Sequence, residues 1–141
     1  MLEQLERGAG HWIPEELQGH HAEILQEARD VLKAFARSDA YAELGGVTIL
    51  GREVPFMMPW PGPSPTLMEG RIDLLYEKDG GLWVADYKTD HITEAAVTDR
   101  METYRPQAQV YAEAVRQSFG RTPAGFTLIF LRLGKSVPVD V

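Results

Sequence analysis

The sequence predicts a single α/β domain with a mixed β-sheet, although an α+β arrangement also fits the order of its elements. A helical pattern comes first, followed by three or four strands, a second helix, and one or two further strands. The chain has 141 residues, so residues 1–141 are predicted to form one domain. Hydrophobic residues make up 44% of the sequence and charged residues 25%, which is enough for an ordinary core.

The first predicted helix covers 13–37, because apolar residues recur there at helical spacing. Pro14 suits the first turn of a helix. Gly19 divides the segment into a weaker first part and a stronger second part. Ser38 and Asp39 are predicted to end the helix.

Short strands are predicted over 47–50 and 52–56. Pro55 favours a position near the edge of the sheet for the second strand, because proline cannot donate a ladder hydrogen bond. The proline-rich segment 59–65 is predicted to be a surface loop.

The clearest signal is a β-hairpin. Two apolar runs, 67–76 and 82–89, flank a Lys-Asp-Gly-Gly turn at 78–81. Residues 90–101 are polar and poorly periodic, which favours a mobile loop.

The second predicted helix covers 105–118, with Pro106 in its first turn and Gly120 as its stop. A strand over 126–133 follows, and a turn at 134–135 allows 137–141 to pair back.

Charged side chains stand at half-buried positions of the predicted hairpin. Asp73 lies between Ile72 and Leu74, and Asp86 and Lys88 share one face of the partner strand. Such charges need a partner or a metal. The hairpin brings the two carboxylates together, and their oxygens with a main-chain carbonyl suit Mg²⁺ or Mn²⁺. An exposed ion pair is the alternative for Asp86 and Lys88.

Three segments resemble the nuclease motifs of the RecB/AddA branch of the PD-(D/E)xK superfamily. They are 68–76 with Gly-x-Ile-Asp, 84–90 with Asp-Tyr-Lys-Thr, and 104–111 with Gln-x-x-x-Tyr. Asp86 follows Asp73 by 13 positions, a spacing that fits one hairpin. The resemblance implies a restriction-endonuclease-like core, in which helices flank a mixed sheet.

The resemblance also implies roles for individual residues. Asp73 and Asp86 would bind Mg²⁺ or Mn²⁺ together with the main-chain carbonyl of Tyr87, and Lys88 would be the catalytic lysine. Residues predicted to support the active site or contact DNA are Gln107, Tyr111 and Arg105. Ordinary helix packing is the alternative for Gln107 and Tyr111.

The implied activity is metal-dependent hydrolysis of DNA phosphodiester bonds, from ends or internally, in double-strand-break repair and recombination. A helicase, in the same chain or in a partner subunit, would feed single strands to the site. The alternative is a weak or inactive domain that binds DNA or acts as a scaffold within a helicase–nuclease complex.

The family has a further metal-binding histidine upstream of the first aspartate of its motifs. The motifs do not assign its counterpart in this sequence. His11, His20 and His21 are the candidates, and His21 precedes Asp73 by only 52 positions. We expect the family's histidine to precede residue 1, in a longer helicase–nuclease of which this chain is the C-terminal part. His21 is then a substitute ligand or a solvated helix residue.

Charge and composition exclude several classes of protein. With 14 basic and 21 acidic residues the net charge is −7, which argues against a polybasic protein that holds nucleic acid by charge alone. Residues 100–135 are locally basic and favour an anionic partner. Cysteine is absent, which excludes disulfides, zinc–thiolate sites and iron–sulfur clusters. Without a long apolar run or a signal peptide, a cytoplasmic location is expected.

Overall fold

The computed structural model describes residues 14–64 and 66–140. In these ranges a mixed sheet has the strand order β1-β2-β3-β4-β5. Its strands are β1 (Thr48–Trp60), β2 (Thr66–Lys78), β3 (Gly81–Lys88), β4 (Gly125–Phe130) and β5 (Lys135–Val139). Only β3 and β4 pair in parallel among these neighbours. This confirms the predicted α/β class and fits a restriction-endonuclease-like core.

Helices cover both faces of the sheet. The α-helices are α1 (His21–Phe35), α2 (Asp39–Gly45) and α3 (Val97–Phe119), with short 3₁₀ helices at Glu15–His20 and Glu94–Ala96. The helix α3 lies in the crossover that connects the parallel strands β3 and β4. Its buried residues other than Ala114 share one core cluster with Leu82, Val84 and Phe126. Phe35 and Ala40 share the other cluster with Ala85 and Ile129.

The hairpin between β2 and β3 is confirmed. Asp79 and Gly80, at the centre of its turn, have φ angles of 52° and 75°. Positive φ at both central residues matches the right-handed twist of the strands, and glycine reaches this region without a steric penalty. Lys78 pairs with Gly81, and the ladder runs back to Leu74 opposite Ala85.

The prediction of two short strands before the hairpin was wrong, because β1 is one long edge strand. The register of pairing shifts at a bulge between Ile49 and Gly51, and pairing with β2 continues beyond it. The strand also extends through Pro59, which the sequence placed in a loop. Proline is tolerated there because an edge strand needs hydrogen bonds on one side only.

Ser38 caps the start of a new helix, three residues after the preceding helix ends. The predicted helix is divided at His20, close to Gly19, and α1 ends at Phe35. The Ser38 hydroxyl then accepts a hydrogen bond from Tyr41 N and donates one to Phe35 O. This N-cap starts the short helix α2, which was not predicted.

The helix α3 begins at Val97, eight residues before the predicted start, so Pro106 lies in its interior and not in its first turn. Val97, Met101 and Tyr104 continue the apolar stripe of the helix and pack against the core. Pro106 itself is exposed. Burial before the proline therefore outweighs the one hydrogen bond that it removes.

The C-terminal elements agree with the predicted order. Gly120 ends α3 with a φ of 65°, as predicted. The strand β4 stops at Phe130, earlier than expected, because residues 131–134 form the turn into β5. In the described ranges, no helix is both long enough and apolar enough to cross a membrane.

Candidate active site

The strands β2 and β3 separate at Asp73. Their ladder ends with Leu74 opposite Ala85, so Tyr87 has no main-chain partner on β2 within the ladder. The Tyr87 N–H instead donates a 2.9 Å hydrogen bond to Asp73 Oδ2. Ile72 and Leu75 are three positions apart, so regular alternation would place them on opposite faces of the sheet. Both lie in the same core cluster, so the alternation of side chains breaks here. This break brings the Asp73 carboxylate beside β3.

Asp86 is a buried carboxylate, only 4% exposed. Burial raises the pKa of Asp86, Lys88 opposes this effect, and the negative charge of Asp73 raises the pKa further. Lys88 Nζ lies 2.6 Å from Asp86 Oδ2 as an ion pair.

Lys88 lies in the same enclosed region, with 12% of its side chain exposed. Besides its ion pair with Asp86, it donates a 2.8 Å hydrogen bond to Gln107 Oε1. Its ammonium also stands over the ring of Tyr104, 3.7 Å from the ring centroid. Lys88 is therefore held by an acid, an amide and an aromatic face.

Gln107 and Tyr111 point from α3 toward this pair. Gln107 Nε2 donates to Asp86 Oδ1 at 3.3 Å and to Tyr111 Oη at 2.9 Å. The Tyr111 ring is buried and contacts Phe56 edge to face at 5.7 Å. Burial raises the pKa of Tyr111, the hydrogen bond from Gln107 opposes this effect, and the nearby Asp86 raises the pKa further. Both residues thus contact the candidate site, and Tyr111 also packs the helix on the sheet.

Tyr104 and Asp90, for which no role was predicted, lie at the same site. Tyr104 Oη donates to Asp90 Oδ2 at 2.9 Å and to Oδ1 at 3.2 Å. Arg100 Nε lies 3.7 Å from Asp90 Oδ2. The position of Tyr104 one helical turn before Gln107 is the signal that would have identified it.

Arg105 does not join these residues. Its guanidinium binds the Glu102 carboxylate at 2.7 Å and the Asp140 carbonyl oxygen at 3.2 Å. A role of Arg105 in DNA contact stays a prediction.

Charges elsewhere in the locally basic stretch also have partners. Arg116 pairs with Glu113, Lys135 with Glu94, and Arg132 with Glu27. Arg121 donates to the Gly80 carbonyl oxygen. The basic side chains are therefore distributed among several acidic neighbours and do not form one unpaired patch.

No histidine completes the carboxylate pair in the part of the chain that the structure describes, where no group of three or more histidines and acids could hold a metal. His20 Nδ1 lies 3.1 Å from Glu23. His21 Nε2 is enclosed without a hydrogen-bond partner among the described residues. His11 lies outside those residues.

The donor set nevertheless fits a hard divalent cation. Two neighbouring carboxylates and the carbonyl of Tyr87 offer the oxygen ligands that Mg²⁺ and Mn²⁺ prefer. Asp86 Oδ2 is buried with the Lys88 ammonium 2.6 Å away, so a cation bound here would share this oxygen with Lys88. The charges of Asp73 and Asp86 are close enough to affect each other, and a cation would relieve their repulsion.

Comparisons with known proteins connect this geometry to a family. A sequence profile described as PD-(D/E)XK nuclease superfamily matches residues 2–139. Several proteins whose names describe them as ATP-dependent helicase/nuclease subunits are similar to this chain. The Levilactobacillus brevis protein is 31% identical over 134 residues, with 84% of this chain and 11% of the relative covered.

Two Bacillus proteins of the same name give similar values. Identity to the Bacillus velezensis protein is 32% over 124 residues, with 74% of this chain and 10% of the relative covered. The Bacillus licheniformis protein is 31% identical over 144 residues, with 90% of this chain and 12% of the relative covered. The chain thus spans about a tenth of the length of these relatives.

Proposed function

Because the chain belongs to the PD-(D/E)XK nuclease superfamily, we propose that it is a metal-dependent deoxyribonuclease domain of the RecB/AddA type. It would hydrolyse DNA phosphodiester bonds with water as the nucleophile. The observation that carries this proposal is the buried Asp86–Lys88 ion pair beside the Asp73 carboxylate.

In this proposal Asp73, Asp86 and the Tyr87 carbonyl hold Mg²⁺ or Mn²⁺. A bound divalent cation of this kind polarises a phosphate oxygen and makes bound water a better nucleophile. The 2.9 Å hydrogen bond from Tyr87 N fixes Asp73 relative to β3, so the two carboxylates keep their spacing. The enclosed position of Asp86 strengthens its electrostatic interaction with a cation.

The proposed role of Lys88 is to orient the water or to stabilise charge that develops on the phosphate. Gln107 keeps Lys88 beside Asp86 because its amide contacts both side chains. Tyr111 in turn accepts a hydrogen bond from the same amide and fixes its orientation. Asp73, Asp86 and Lys88 are thus the proposed catalytic residues, and Gln107 and Tyr111 are supporting residues.

The names of the relatives support a setting within a helicase–nuclease. Residues 1–141 would form one nuclease domain near the C-terminus of such a protein and act in the cytoplasm. The helicase, in the same chain or in a partner subunit, would deliver single-stranded DNA ends during double-strand-break repair and recombination.

A second candidate function is a domain that binds DNA or acts as a scaffold without hydrolysis. The observation that favours it is that no described histidine joins Asp73 and Asp86 in a three-ligand cluster. Against it stands the complete set of contacts among Asp86, Lys88 and Gln107.

The test combines metal binding with cleavage. Mn²⁺ is titrated calorimetrically into the 141-residue chain and its Asp86→Asn variant, and both are then incubated with linear and circular single-stranded DNA and Mg²⁺ or Mn²⁺. We expect one or two equivalents of Mn²⁺ and DNA cleavage with the wild-type chain, and loss of both with Asp86→Asn. Cleavage of circular DNA would identify an endonuclease.

Glu69→Gln is the matched control, because Glu69 is an exposed acid of β2 outside the site. It is expected to bind Mn²⁺ and cleave DNA like the wild-type chain. Full cleavage by Asp86→Asn would contradict the proposed nuclease mechanism. DNA binding without cleavage by the wild-type chain would favour the scaffold function.

A further inference from the structure

The ammonium of Lys88 lies against the ring face of Tyr104, 3.7 Å from the centroid. At this distance the negative face of the ring attracts the cation, and the attraction is strongest where water is excluded. Lys88 meets that condition because only 12% of its side chain is exposed. Tyr104 therefore contributes to the position of Lys88 and does not merely fill space beside it.

The ring of Tyr104 is itself held in place by a residue just after β3. Its hydroxyl donates to both carboxylate oxygens of Asp90, two residues after Lys88. Arg100, one turn before Tyr104 on α3, lies 3.7 Å from the same carboxylate. Desolvation by burial raises the pKa of the Tyr104 hydroxyl, and the hydrogen bond to Asp90 raises it further, so the hydroxyl stays a donor. The aromatic face is thereby oriented toward Lys88.

A divalent cation on Asp73 and Asp86 would compete with Lys88 for Asp86 Oδ2. The ammonium would then keep the Gln107 oxygen and the Tyr104 ring as its partners. Both partners are uncharged, so they hold the ammonium without neutralising it. Lys88 would keep its full positive charge for the phosphate.

We propose that Tyr104 is a positioning residue for Lys88, an inference that rests on the proposed nuclease function. The ring face fixes the ammonium next to the two carboxylates, and Asp90 fixes the ring. Tyr104 acts through Lys88 and does not touch the reacting atoms.

Kinetics with Tyr104→Leu and Tyr104→Phe test this role. Leucine removes the aromatic face, and we expect kcat to fall about 5- to 30-fold with KM within about twofold, the range that a desolvated cation–π contact supports. Phenylalanine keeps the face but loses the hydrogen bond to Asp90, so its kcat should lie between those of the leucine variant and wild type. Tyr41→Leu, on the opposite side of the sheet, is the control and should leave both constants unchanged.

Fluorinated phenylalanines at position 104 distinguish the effect of the ring's negative face on kcat from the effect of its size. Each added fluorine weakens the negative face of the ring while leaving its size nearly unchanged, so kcat should decline stepwise with fluorine number. A constant kcat across the series, or equal kcat for Tyr104→Leu and wild type, would overturn the proposal.

A second measurement does not depend on cleavage. Protons on the ε-carbon of Lys88 lie near the ring face, so their NMR resonance should be shifted upfield by the ring current. Lys88→Met identifies the resonance by its loss; Tyr104→Phe should keep the shift and Tyr104→Leu should abolish it. An unshifted resonance in the wild-type chain would overturn the placement of Lys88 by Tyr104. A shifted resonance in a chain that cleaves no DNA would contradict only the proposed function.

Discussion

Asp73 has a structural contact in addition to its proposed chemistry. Its Oδ2 accepts the N–H of Tyr87 at the point where β2 and β3 separate. An unsatisfied main-chain N–H at this half-buried position would be unfavourable. The same carboxylate thus replaces a missing ladder partner and stands next to Asp86.

The two contributions of Asp73 are separable by substitution. Asp73→Asn keeps an acceptor for Tyr87 N, so the free energy of unfolding should stay within about 1 kcal/mol of wild type. Asp73→Leu removes the acceptor and should lower it by about 1–3 kcal/mol. Both variants should lose Mg²⁺-dependent cleavage, because both lack the negative charge.

Urea unfolding at about pH 7 and a cleavage assay on the same preparations provide the measurements. If Asp73→Asn and Asp73→Leu lowered the free energy of unfolding equally, the hydrogen bond from Tyr87 N would not be the structural contribution of Asp73.

The Asp86–Lys88 pair is a second feature at the scale of single residues. Removing two charges from water is unfavourable, and a buried pair regains this energy only with good geometry and further hydrogen bonds. Gln107 supplies such bonds to both members. A pair of this kind contributes little net stability, which favours a chemical reason for its presence.

At the scale of elements, one aromatic side chain links the strands β1 and β2 to α3. Phe56 of β1 lies opposite Gly70 of β2, and a Cβ at Gly70 would come within 2.6 Å of the Phe56 ring. The ring also contacts Tyr111 of α3. The glycine of the Gly-x-Ile-Asp motif therefore lets an aromatic ring cover the strand and support the candidate site.

Gly70→Ala should displace the Phe56 ring and disturb Tyr111. We expect a loss of about 1–3 kcal/mol in the free energy of unfolding, as in other overpacked cores, together with reduced cleavage. Gly62→Ala is the matched control, since no heavy atom lies within 4 Å of its added Cβ, and its stability should change by less than about 0.5 kcal/mol.

Thermal or urea unfolding of the two alanine variants measures these changes in the free energy of unfolding. Equal stability of Gly70→Ala and Gly62→Ala would show that Phe56 moves without penalty.

The elements that the sequence predicted correctly have local signals. The turn at Asp79 and Gly80 needs positive φ angles, and aspartate followed by glycine is a residue pair typical of such turns. The hairpin then brings Asp73 toward Asp86, so the proximity of these residues followed from a short-range pattern. The stop of α3 at Gly120 is local in the same sense.

Features that depend on tertiary packing were not predicted. The start of α3 at Val97 depends on burial against the sheet, which overrides the local signal of Pro106. The contact of Tyr104 with Lys88 depends on how α3 crosses β3. The break in alternation at Asp73 arises where two strands diverge, and period-2 patterning carries no information on that point.

At the scale of the whole molecule, the net negative charge and the pairing of the basic side chains determine how the surface meets a polyanion. The net charge is −7, and the basic side chains of residues 100–135 have acidic or carbonyl partners. Binding to a polyanion would require some of these pairs to open. Bulk electrostatics therefore offers little attraction for DNA.

We expect weak, metal-dependent binding of single-stranded DNA with a shallow salt dependence. Replacing fewer than about three counterions gives a slope of log K against log salt no steeper than about −2. Fluorescence anisotropy with a labelled oligonucleotide, Mg²⁺ and the Lys88→Met variant measures this slope, because the variant keeps the proposed metal ligands but should not cleave.

The same titration without Mg²⁺ is the control and should show much weaker binding. A slope steeper than about −4, independent of Mg²⁺, would reveal an extended basic surface and contradict this expectation.

The prolines of the two edge strands have a consequence for self-association. Pro55 and Pro59 lie in β1 and Pro138 lies in β5, the strands at opposite ends of the described sheet. None of them can donate a hydrogen bond to an added strand, and the bulge between Ile49 and Gly51 makes the edge of β1 irregular as well. An incoming β-strand from another copy would find gaps in the row of donors on either side. The sheet is thereby protected against edge-to-edge aggregation, even where its edges are exposed.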